Sequence, residues 1–571
     1  MKRTGLAQTE VWGQGGLFRH TLMPQIGWAL VALIIGAGIL GPVIQLEIRA
    51  FANGGAAFSR MIQMERFGII FRTTVTLAVL SSVCAVILGL VLALCAQMLP
   101  AKVRRVGQLL PLFPLLLPAA AAITGWTFLL SPKVGYVNTL IRTLPFFRQM
   151  EQGPFDIYSL TAIVLITGLL LASFVYLFIL TGLQNMGQEL EAAAAVSGAS
   201  PLRRLFTVTL PLLRPSIIFS GGMVFLLGLG QLTAPLLLGR TLNVDVLTTE
   251  MFHLAEVYPV DFGLGAALGF PILVVGLVGV IAQKAMLGEQ RRYVVVSARS
   301  RYQARNTNWW SAAVIGLFGL VTTFLPLAAL TFVSFSPFWS GTLSLDSFTT
   351  RHWTDVFNNP LLVSAIWTSM KAAVIAVLLV VVIGFVCASA LLQNSTAARP
   401  IRAAIDFIVT LPLAIPASLM GFGLLFAYSG PPFRLYGTTA VLVITYVTLM
   451  IGYSTRLQFT NLVGIGSEFL EASKTCGAGS IRSLLMVTLP LMRRGVGATA
   501  ALTFVLLFHE FSASLMVRSP RNQVIGSVLY DVWNGGGYPQ VAVLALIMTV
   551  VTLFGVVVAV WIGGADSLRK M

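Results

Sequence analysis

His509 and Glu510 stand side by side inside an apolar run (491–517), and Gln231 occupies the matching place in another run 279 residues earlier. An imidazole, a carboxylate and an amide at such positions can offer charge and hydrogen bonds to a polar cargo. Facing them to lipid would cost on the order of 3 kcal/mol or more, so they are candidates for a substrate pathway. The same groups can equally serve as hydrogen-bonding struts between helices, and the residue types leave both readings open. The other histidines (His20, His253, His352) are scattered, and Cys84, Cys95, Cys387 and Cys476 form no CxxC pair. No metal site or disulfide framework is therefore expected. The chain has no G-x-x-x-x-G-K-[ST] phosphate loop. Neither a catalytic residue nor a bound cofactor is expected.

The remaining polar signal is a repeated block. Glu191-AAAAVSGASPLRRLFTVTLPLLR ends at Arg214, and Glu471-ASKTCGAGSIRSLLMVTLPLMR ends at Arg493. Aligned on Gly198 and Gly477, 10 of the 17 residues through the closing Arg are identical, and each Gly lies 13 residues before a Pro, Pro211 or Pro490. The Ala- and Glu-rich start favours helix, and Gly198 and Gly477 suit the left-handed cap that ends one. Ser200-Pro201 reads as an N-cap followed by Pro at the first helical position. The second short helix is expected to end at Pro211 or Pro490, where a membrane span begins. Each block (188–210 and 468–489) then forms a helix–turn–helix at the membrane surface, joined to a span it can move.

These blocks are carried by a chain of 571 residues, 57% hydrophobic and 10% charged. Soluble domains average about a quarter charged residues, so an all-α integral membrane protein is expected. Twelve apolar runs are long enough to cross a ~30 Å hydrocarbon core as helices: 24–46, 73–98, 107–130, 157–184, 212–239, 262–284, 309–334, 365–391, 403–428, 437–458, 491–517 and 540–563. The first is read as an uncleaved span rather than a signal peptide. An even number of spans puts both termini on one side, and most of the 37 Lys and Arg fall on that side, which makes it the cytoplasm. The net charge of +17 is spread over short loops, which argues against nucleic acid as a partner. Trp309-Trp310 is expected to anchor in membrane lipids at the interface. Asp406 and Lys371 lie near span ends, where Asp406 is expected to reach the cytoplasmic headgroups.

The halves repeat beyond the blocks. Pro114-LLL-Pro118 is followed by Gly125 and Phe128, and Pro412-LAI-Pro416 by Gly423 and Phe426 at the same spacings. Phe225 matches Phe504, Gln231 matches Glu510, and Ala234 matches Ala513. The plan is a first unit (1–285), a basic linker (286–308) and a second unit (309–571) in parallel orientation, with a pathway at their interface. The paired prolines are expected to break spans three and nine.

The blocks resemble the EAA coupling loop of binding-protein-dependent ABC importer permeases, a Glu-Ala-Ala start with Gly six residues after the Glu and Leu-Pro at the end. The second copy supplies Glu471, Ala472, Gly477, Leu489 and Pro490, with Ser473 in place of the second Ala. The first copy has Ala192 where Glu471 stands, and Glu191 is one residue early, a turn of about 100° around a helix. The resemblance implies two tandem six-helix type I permease units. It also implies a cytoplasmic ABC ATPase homodimer gripping the two blocks, and a periplasmic or lipid-anchored substrate-binding protein at the outer loops 131–156 and 335–364. ATP would then be used by that partner, in the bacterial inner membrane. Glu510-FSASL, Leu529-YDVWNGGGYPQ and Ala542-VLAL look most like the ferric-iron members of a group with thiamine, polyamine and aminoethylphosphonate relatives. The alternative is an ion-gradient-driven secondary transporter with two parallel six-helix halves. Such a transporter relies on buried ionisable residues, which are scarce here, and does not usually repeat a polar block before spans five and eleven. A passive channel would need a selectivity ring, and none is visible.

Overall fold

The computed structural model describes residues 25–184, 186, 188–239, 244–287, 308–342, 346–392, 399–465 and 467–563. Most of the basic linker lies outside them. Among the described residues ten single helices are long and apolar enough to cross a membrane, or twelve spans if each of two bent helix pairs is counted as one. Among the described residues the one non-helical pairing outside turns is a bridge between Ser519 and Asn522. A membrane explains the uniformity, because an α-helix satisfies its backbone groups internally where water is absent. Hydroxyls follow the same rule: Thr74 Oγ1 donates to the Ile70 carbonyl at 2.8 Å and Thr445 Oγ1 to that of Val441 at 2.7 Å.

The bent pairs are spans three and nine. Arg104–Leu116 meets Ala119–Leu130 at 94°, and Arg399–Ala414 meets Ala417–Ser429 at 112°. The cause is local. Pro118 excludes Leu117 from the helical region, and Leu117 sits at φ −90°, ψ 122°. Pro118 and Pro416 then open the second arms with ψ of 134° and 139°.

The two halves interlock. The first span (Gln25–Ala50) packs against Ala417–Ser429 of the second half, and the seventh (Trp309–Phe335) against Ala119–Leu130 of the first. Glycine makes both crossings possible. A Cβ on Gly423 would lie 2.7 Å from the Pro42 carbonyl oxygen, and one on Gly125 would lie 2.7 Å from that of Pro326. Backbone cannot retreat as a flexible side chain can, so Gly423→Val should destabilise the protein by about 1–3 kcal/mol or more. A thermal melt of the purified variant in detergent should register a lower midpoint. An unchanged midpoint would mean that the halves can slide past each other.

Candidate functional site

The surface blocks are built as matched copies. The first helices run Gln188–Val196 and Ser467–Thr475. They end at Gly198 (φ 79°) and Gly477 (φ 77°), in the left-handed region where a side chain is strained. The Ala199 N–H reaches the Ala194 carbonyl at 3.0 Å and the Gly198 N–H that of Ala195 at 3.1 Å; in the second copy the Ala478 N–H reaches Ser473 at 3.1 Å. Such bonds close a helix end and fix the exit angle. Ser200 Oγ then accepts the Arg203 N–H at 3.3 Å, capping the next helix.

One expectation fails here. The second short helix does not end at Pro211 or Pro490. It continues through a single π-turn, Leu205–Thr209 or Leu484–Thr488, into the spans Leu210–Leu229 and Leu489–Phe508. The N–H groups of Leu210 and Leu489 bond five residues back, to Leu205 and Leu484. Widening the turn relieves the clash that a proline ring makes with the carbonyl four residues earlier. The surface helix and its span are thus one continuous rod, a firmer lever than a proline break would leave. In the first half the rod runs without a break from Pro201 to Leu229.

The copies differ in detail. Ser473 Oγ and Ser483 Oγ lie 2.7 Å apart and tie the two arms of the second copy, where the first copy has Ala194 and Arg204. The helix bounds repeat at 279 residues, which assigns Ala192, not Glu191, to the register position of Glu471. Glu471, Ala472 and Ala192 are all exposed. So are the matched apolar residues Phe206 and Leu485, at 61% and 57%.

Gln231 and the His509–Glu510 pair lie where the two lever spans break. Leu210–Leu229 gives way to a short helix, Thr233–Leu238, and Leu489–Phe508 to Ser512–Val517. Glu510 accepts the Ala513 and Ser514 N–H groups, both at 2.7 Å, and the Ser514 hydroxyl at 2.5 Å. Ser514 Oγ also lies 3.0 Å from the Tyr446 hydroxyl. The carboxylate therefore caps a helix start. Gln231 Nε2 reaches Thr167 Oγ1 at 3.5 Å, and the Gln231 carbonyl accepts from Thr248 Oγ1 at 2.7 Å. Thr167 is the repeat counterpart of Tyr446, so both breaks are tied to the preceding span. His509 keeps partial exposure, and its buried Nδ1 has no hydrogen-bond partner among the described residues. Asp406 has a protein partner: Arg456 Nη2 binds its carboxylate at 2.8 Å and Thr410 Oγ1 at 2.6 Å. The partners Tyr446, Ser514 and Thr167 escaped sequence reasoning. The 279-residue register pairs Tyr446 with Thr167, a usable signal, but nothing in it says that either faces a break.

The family model described as binding-protein-dependent transport system inner membrane component matches residues 85–289 and 380–565. A ferric transport system permease protein (FbpB) of Actinobacillus pleuropneumoniae is 22% identical over 554 residues, 95% of this chain and 78% of that protein. A putative 2-aminoethylphosphonate transport system permease protein (PhnV) of Salmonella choleraesuis (strain SC-B67) is 26% identical over 266 residues, 44% of this chain and 95% of that protein. A chain in the crystal structure of a bacterial alginate ABC transporter, in complex with an alginate pentasaccharide-bound periplasmic protein, aligns with a TM-score of 0.38 at 22% identity. It covers 47% of this chain and 94% of that one. This chain belongs to the family of binding-protein-dependent transport system inner membrane components, and carries two such units in tandem.

Proposed function

We propose that this chain is the whole membrane pathway of an ABC importer, worked by a separate ATPase homodimer that grips the helices Gln188–Val196 and Ser467–Thr475. The observation that carries the reading is the continuous rod from each surface helix–turn–helix into a span that breaks at Gln231 or at His509–Glu510. A push at one end of such a rod is delivered to the break at the other. The surface helices then face the cytoplasm, as do both termini, in a bacterial inner membrane. A periplasmic or lipid-anchored binding protein delivers cargo to the opposite face, at loops 131–156 and 335–364.

Ferric iron is the cargo we favour, on the likeness to the ferric permease along 95% of the chain, with aminoethylphosphonate, thiamine or a polyamine next. Gln231, His509 and Glu510 line the route, Glu510 mainly by holding the break in shape. Affinity capture of the tagged chain from membranes should recover an ABC ATPase. Glu471→Ala should weaken that capture and cut uptake about tenfold, whereas Glu191→Ala, one residue out of register, should leave more than half. Uptake that survives scrambling of both blocks, and stops with a proton ionophore while ATP is intact, would replace this reading with the gradient-driven one. Uptake of radiolabelled ferric iron, competed by each alternative cargo, sorts the substrates.

A further inference from the structure

On the face opposite the surface blocks, a short helix follows each broken span: Leu247–Glu256 in the first half and Ile525–Asn534 in the second. Their N-caps, Val246 and Val524, are repeat counterparts, and so are Phe252 and Tyr530, which share one helical register. These two rings meet edge to face, with centroids 5.5 Å apart. Counterparts from two parallel halves touch each other only where they straddle the pseudo-twofold axis. Arg518 sits at that spot. Its side chain is 14% exposed, with Cζ 5.9 Å from the Phe252 ring and 5.7 Å from the Tyr530 ring. One guanidinium nitrogen holds Asp531 at 2.8 Å within its own half, and the other holds Glu256 across the interface. At the offset that pairs these two helices, the counterpart of Arg518 is Arg240, which lies outside the described residues.

Each short helix is also tied to its own half. The Leu247 N–H donates to Thr74 Oγ1 at 2.9 Å, and the Ile525 N–H to Ser369 Oγ at 2.8 Å. When the halves part, the helices must travel with them. The Arg518–Glu256 pair then has to break, while the Arg518–Asp531 pair can survive and keep the guanidinium aimed for reclosure. We propose that Arg518 is a latch that holds the far mouth of the pathway shut until the halves separate. The proposal rests on the importer reading above only for its use, since the latch itself can be tested on the isolated chain.

Val257 is exposed and ends the first helix, and Gly535 follows the second at φ −76°, where a side chain is tolerated. With the four native cysteines replaced by serine, Val257→Cys and Gly535→Cys would carry spin labels in the purified full-length chain in nanodiscs. Distance distributions should be narrow in the parent. Glu256→Gln, which leaves Arg518 paired with Asp531, should shift or split the distribution by several ångströms toward longer distance. Asp531→Asn should leave it close to the parent. A parental distribution in Glu256→Gln would overturn the latch. Equal broadening in both variants would also overturn it, by making the cluster a local fold element. Neither readout needs an ATPase, so loss of the importer reading would show in the capture experiment and not here.

Discussion

Gly477→Val is expected to abolish uptake to below a tenth of the parent while the membrane spans still assemble. A Cβ at Gly477 would meet nothing within 4 Å, so crowding is not the obstacle. The backbone is, because φ is 77°. The left-handed conformation costs an L-residue about 1–2 kcal/mol, and a β-branched residue is an outlier there. That strain is removed by re-aiming Ser467–Thr475 relative to the rod that begins two residues beyond Ala478, and the exposed helix has few contacts to resist. The predicted phenotype is specific: normal abundance and thermal midpoint, with hydrolysis by the captured ATPase no longer tied to uptake. Gly477→Asn should keep a substantial part of the activity, because Asn visits this region more readily. Gly479→Ala should behave like the parent, since Gly479 is not in the left-handed region and its Cβ would also meet open space. A Gly477→Val protein that imports normally would mean that the angle between the surface helix and its span does not matter.

What could be read from the chain beforehand, and what could not, follows from the range of the interactions. The long apolar helices, the caps at Gly198 and Gly477 and the breaks at Pro118 and Pro416 are local consequences of apolar length, a missing Cβ and a missing N–H. Each is written within a few residues. The continuity past Pro211 and Pro490 was misread because proline is a breaker only if the turn before it keeps α-helical spacing, and one π-turn removes the conflict. The partner of Asp406 was not legible because Arg456 is 50 residues away on another helix. The crossing of each first span onto the other half rests on Gly423 against Pro42 and Gly125 against Pro326. The repeat pairs the two glycines, but nothing in it names what they touch.

The same limit applies to Glu510, whose partners are near in sequence but whose purpose is visible only in three dimensions. Glu510→Ala is expected to lower the thermal stability of the purified protein markedly. It strands the Ala513 and Ser514 N–H groups, each worth about 1–3 kcal/mol when left buried and unpaired. In the first half this load is lighter, because Pro235 stands where Ser514 does and has no N–H to satisfy. The Gln231 amide donates to Thr167 Oγ1 at 3.5 Å. Glu510→Gln should be destabilised less than Glu510→Ala, because one acceptor oxygen remains. Adding Ser514→Pro to Glu510→Gln should restore part of the lost midpoint, as it removes one stranded donor. If Glu510 instead served the cargo alone, the melts of all three variants would match the parent and only uptake would fall. A fall in uptake that tracks the melting midpoint across the series would identify the carboxylate as the part that keeps the break, and hence the route beside it, in shape.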